Sequence, residues 1–217
     1  MVYKESINEL LTKSNAALTN ALENSEISEA LALLGYDSEK VNEGKQLVEK
    51  VSELNAKQKK EYSEQYQATD DFNNKREAAN KEYIKLVKLS RISFRNRPGI
   101  YSELGLSGER KVTISGWITQ VDQFYRNLTT NSEAKSALTS FGITDEKIQA
   151  AYDLLKDAQN TYSIRNNEMG EAQDATKERD KYVDELNEWM NDFYTIARIA
   201  LEDNPQLIEA LGVVEVS

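Results

Sequence analysis

The chain has no cysteine and no histidine among its 217 residues. No disulfide framework is therefore possible, and no thiolate or imidazole can bind a metal. Cys-His and Ser-His-Asp nucleophile systems are excluded. So is the di-iron carboxylate bundle, which needs Glu-x-x-His on two helices. Proline occurs twice and glycine nine times. Ala, Glu, Lys, Leu and Arg supply 92 residues, and so few helix breakers among so many helix formers predict long helices.

No run approaches the 18 apolar residues of a membrane span, so none is expected. Met1–Leu11 carries Lys4, Glu5 and Glu9, which is not the pattern of a signal peptide. Cytoplasm is the expected compartment. Formal net charge is -10, and such a chain repels phosphate backbones and anionic lipid, so nucleic acid is disfavoured as a partner. There is no P-loop, dinucleotide fingerprint or EF-hand loop. Paired carboxylates such as Asp70-Asp71 and Glu202-Asp203 read as solvated helix surface. We expect no catalytic residue, no metal site and no cofactor.

What the sequence does contain is self-similarity. Sliding the chain by 107 positions aligns residues 2–106 with 109–213 without a gap and gives 23 identities in 105 pairs. Gly35 meets Gly142, Pro98 meets Pro205, and Leu104-Gly105 meets Leu211-Gly212. Arg91-Ile92 meets Arg198-Ile199. Chance similarity of two helical stretches would share apolar phase but not glycine and proline together. The expectation is a tandem duplication, with helical repeat 1 at 1–107 and helical repeat 2 at 108–217.

Within each half the apolar period is helical. Ile7, Leu10, Leu11, Ala17, Leu18, Ala21 and Leu22 share one face. Asn24-Ser25 interrupts it, with Ser25 as a candidate N-cap and Gly35 as a C-cap. A 3-4 spacing then runs from Val41 to Ser90, and Thr144 is expected to cap its second-half counterpart.

Two all-α arrangements fit. In the first, a hairpin near 66–70 and 173–177 makes each half a three-helix antiparallel coiled-coil-like bundle. In the second, two unbroken helices, 38–95 and 145–202, carry shorter helices packed on them. The second demands that the link 96–110 span roughly 40 Å, against about 50 Å when fully extended, so the first is expected. A three-helix unit of this period resembles the architecture of spectrin-type repeats. Pro98, Gly99, Gly105 and Gly108, however, break the junction where those repeats continue as one helix.

Charge divides the halves. Residues 1–108 hold 16 basic and 17 acidic residues, whereas 109–217 hold 11 and 20. Lys81, Lys85, Lys88, Arg91, Arg95 and Arg97 stand against Glu82 alone, and most of them step along one helix face. We expect these six residues to bind a partner with an acidic surface. The function expected is that of a non-catalytic protein–protein interaction or scaffold module, engaging an unknown protein partner or self-associating. The alternatives are a small-molecule binder or enzyme with a site between the halves, and an RNA binder using the 81–97 stripe. Tyr62, Tyr66, Tyr83 and Tyr162 read as core-margin residues. The tail Leu207–Val216 reads as an end that docks somewhere.

Overall fold

A computed structural model describes residues 6–212. Among them are eight helices and no strand. No helix among them is long and apolar enough to cross a membrane.

The elements are α1 (Ile7–Glu23), α2 (Ser25–Leu33), α3 (Ser38–Ser93), α4 (Pro98–Glu103), α5 (Ile114–Thr130), α6 (Ser132–Thr139), α7 (Asp145–Ala200) and α8 (Pro205–Ala210). Every start in the second set lies 107 residues beyond its counterpart in the first.

The caps repeat as well. Asn24 Oδ1 accepts from the Glu26 and Ile27 amides at the start of α2, and Asn131 Oδ1 accepts from Ala134 at the start of α6. The cap is thus Asn24 rather than Ser25, one position earlier than expected. Gly35 and Gly142 close these helices at φ +83° and +70°, where a side chain would be strained. Asp37 and Thr144 cap the two long helices through the Lys40 and Lys147 amides.

The hairpin expected near 66–70 and 173–177 is not formed. Helices α3 and α7 are unbroken over 56 residues each, as in the second arrangement. Thr69 and Thr176 do not cap new helices. Their hydroxyls donate back to the carbonyls of Gln65 and Ala172, a bond that belongs inside a continuing helix. Gly170 lies in mid-helix with a normal φ.

The link 96–110 spans far less than about 40 Å because α5 is short and begins beside the C-terminal part of α3. Trp117 Nε1 donates to Asn80 Oδ1, so α5 starts level with Asn80. The return from Phe94 to that level is about 20 Å at helical rise. The link covers it easily, held by Arg91 Nε on the Leu106 carbonyl and by the Arg110 guanidinium 5.8 Å from the Tyr83 ring.

The chain forms two compact units, and each draws on both sequence halves. Unit 1 joins residues up to Tyr62 with those from Glu171 onward; unit 2 is Ser63–Gly170. Leu10, Ala17, Leu18, Ala21, Ile27, Leu31, Val41, Val48 and Val51 share the unit 1 core with Leu186, Met190, Phe193, Ala197, Leu201, Ile208 and Leu211. In unit 2, Ala79, Tyr83, Leu86, Val87 and Phe94 share a core with Trp117, Val121, Phe124, Tyr125, Leu128, Leu138, Ile148 and Leu155.

One hydrogen bond marks the same exchange twice. Asn20 Nδ2 donates to the Ala210 carbonyl, and Asn127 Nδ2 donates to the Glu103 carbonyl. The short helix after each long one therefore docks on a helix from the other half. Of the tail residues, Leu211 is buried in this way; Val213, Val214 and Val216 lie outside the described residues.

Candidate functional site: a basic face and an adjoining groove on unit 2

The six cations singled out from the sequence lie on or just after the C-terminal part of α3, and the structure sorts them into two kinds. Arg91 is half-buried and Arg97 binds Glu133, so these two fasten the return link and α6 to α3. Lys85 makes a loose 3.5 Å contact with Glu82 one turn back. Lys81, Lys88 and Arg95 are exposed and have no ion pair among the described residues.

At 100° per residue, positions 81, 85 and 88 of α3 fall within an arc of about 60°, and Arg95 lies in the turn that follows the helix. The three lysines make one ridge of like charge on α3. The positions 107 residues on are Glu188, Asp192 and Thr195 on α7 and Glu202 just after it, all exposed.

Beside Lys85 lies a groove of about 370 Å³, lined by Glu82, Lys85, Leu86, Ile143, Lys147, Ala150, Ala151 and Leu154. Its floor is apolar, and its rim carries two ammonium groups and one carboxylate. Lys147 Nζ donates to the Gly142 carbonyl at 2.7 Å, which holds it at the rim. Sequence reasoning missed this groove because its walls come from two helices remote in the chain. The only sequence trace is that the small residues Ala150 and Ala151 stand opposite a charged Glu82.

The tyrosines divide by depth. Tyr83 is buried, Tyr62 and Tyr162 are half-buried, and Tyr66 is 65% exposed. Burial raises the Tyr83 phenol above its ordinary value and pushes the Tyr125 phenol well above it. Both stay neutral and serve as packing groups. The carboxylates Asp70, Asp71, Glu202 and Asp203 are exposed.

Compared with family models, curated proteins and solved structures, the chain finds no match.

Proposed function

We propose that this chain is a non-catalytic helical protein that binds another protein, with the α3 face of Lys81, Lys85 and Lys88, and Arg95 in the turn after it, as its docking surface for an acidic partner. One observation carries this reading: Lys81 and Lys88 on one face of α3, and Arg95 in the turn after it, are exposed cations with no ion pair among the described residues. Complementing the helix dipole does not account for them. A dipole favours cations in the last turn of a helix, where α3 and α7 each carry one arginine, Arg91 and Arg198, whereas Lys81, Lys85 and Lys88 precede that turn.

Long-range charge of this kind steers association and makes it salt-dependent. The net charge of -10 favours an acidic protein surface over a nucleic acid backbone. A cytoplasmic setting suits the role. The recurrence of helices and caps at a spacing of 107 residues supports descent of the two halves, 1–107 and 108–217, from one duplicated segment.

The test is a binding titration of the purified partner complex, or of an acidic peptide, at rising salt. The K81E/K85E/K88E variant should lose binding at low salt and keep its helical spectrum. Equal binding by the variant contradicts the proposal. Preferential binding of a single-stranded RNA over acidic peptide would replace it with the nucleic-acid reading.

A further inference from the structure

The basic ridge on α3 has a counterpart of opposite sign on the same chain. On α7, Glu185, Glu188 and Asp192 are exposed and make no ion pair among the described residues. At 100° per residue they too fall within an arc of about 60°. The spacings decide how two such ridges can meet. Along α3 the lysines step by four and then three, from 81 to 85 to 88. Along α7 the carboxylates step by three and then four, from 185 to 188 to 192. Read backwards, the second pattern is the first. Antiparallel, with Lys85 opposite Glu188, Lys81 stands opposite Asp192 and Lys88 opposite Glu185. Parallel, with Lys81 opposite Glu188 and Lys85 opposite Asp192, Lys88 would meet Thr195. The antiparallel register also sets Ile92, 52% exposed on the lysine face, against the methylene stem of Lys181, and Glu77 against Ile196, so no like charges oppose one another.

We infer that the acidic partner is a second copy of this chain, whose α7 face of Glu185, Glu188 and Asp192 docks antiparallel on the α3 face of Lys81, Lys85 and Lys88. Charge complementarity in matched spacing selects this occupant. A single exposed ion pair contributes little. Three in one register act together and fix the orientation of the contact. Every copy carries both faces, so the contact either closes reciprocally in a dimer or repeats along a row of copies. This inference rests on the basic-face reading and adds to it the identity of the acidic surface.

The experiment is sedimentation equilibrium of the full chain over a range of protein concentrations. At about 20 mM salt the mass should rise with concentration, and the association should weaken about tenfold or more at about 500 mM salt. The variants K81E/K85E/K88E and E185K/E188K/D192K should each keep the helical spectrum and self-associate about tenfold or more weakly than the native chain. Mixed in equal amounts they should associate as the native chain does, because each supplies the face that the other has lost. If a charge-reversed variant does not fold, K81Q/K85Q/K88Q and E185Q/E188Q/D192N should show the same weakening one at a time.

A native chain that stays monomeric at low salt at every concentration overturns the inference. If that monomer still binds a peptide of aspartate and glutamate, and K81E/K85E/K88E does not, the basic-face reading stands without it. If the peptide is not bound either, both fall. Undiminished association of either variant also overturns the inference, because the copies then meet through other surfaces. So does a mixture of the two folded charge-reversed variants that associates no better than each alone, because the two ridges are then not partners.

Discussion

The two units are built from the same kinds of element but place their aromatic residues on opposite partners. In unit 1 the short helix α1 offers Leu10, Ala17, Leu18 and Ala21, and the bulk comes from Trp189, Met190 and Phe193 on α7. In unit 2 the short helix α5 offers Trp117, Phe124, Tyr125 and Leu128, while α3 offers Ala79, Tyr83 and Leu86. Slim α1 meets bulky α7, and bulky α5 meets slimmer α3. A core needs near-constant volume across its layers. Had each half closed on itself, α1 would have met the C-terminal part of α3 with too little volume, and α5 would have met the C-terminal part of α7 with too much. The difference between the units therefore explains why the long helices stay continuous and each half completes the other.

The largest effects should come from removing that bulk. Phe193→Ala in unit 1 and Phe124→Ala in unit 2 should each cost about 3–5 kcal/mol, read by chemical denaturation. A loss in only one of them would mean that the two cores are not equivalent in design.

Gly44→Ala comes next. In an open helix this change stabilises by roughly 0.5–1 kcal/mol, but the Trp189 ring stands in the way. It should destabilise by about 1–3 kcal/mol, and Trp189→Leu in the same chain should relieve most of that. A stabilised G44A would contradict the close packing of the Trp189 ring on the Gly44 backbone.

Tyr125 gives a smaller and opposite effect. Its hydroxyl is buried with no hydrogen-bond partner among the described residues, so Tyr125→Phe should be neutral or stabilise by about 1 kcal/mol. Its pH signature has a definite sign. Burial raises the folded pKa, so above the ordinary tyrosine value of about 10 the unfolded chain releases a proton that the folded chain keeps. Stability should fall as pH rises past that point, and less steeply in the phenylalanine variant, as read from melting temperatures across alkaline buffers. An equal slope in both proteins would contradict the burial of this group.

The smallest effect is expected at the exposed Lys75–Asp157 pair, where Lys75→Ala should change stability by less than about 1 kcal/mol.

Much of the fold was legible in local sequence because local chemistry sets it. The Asn24-Ser25 break, the Gly35 and Gly142 closures and the Thr144 cap each follow from a side chain acting on backbone within a few residues. The continuity of α3 was also written in the unbroken 3-4 phase through Thr69. The opposing argument from link length assumed that α5 begins far from Phe94, when Trp117 in fact anchors it beside Asn80.

The exchange of partners was not legible from one half at a time. It is encoded in volumes that must be compared across halves, such as Ala17 against Phe124 and Glu82 against Trp189. The basic ridge was visible as charge at helical spacing. The engagement of Arg91 and Arg97 in structural contacts was not, because Leu106 and Glu133 reach them only through the fold.

The central claim is that a compact unit contains parts of both sequence halves, and it can be tested with two fragments. Residues 63–170 contain all of unit 2 in one stretch, whereas 1–107 contain α1 to α4 without the α7 and α8 residues that complete the unit 1 core. Circular dichroism melts with sedimentation measure both. The account predicts a cooperative, monomeric helical fold for 63–170 and no cooperative monomer for 1–107. A cooperative monomer from 1–107, with 63–170 unfolded, would contradict it.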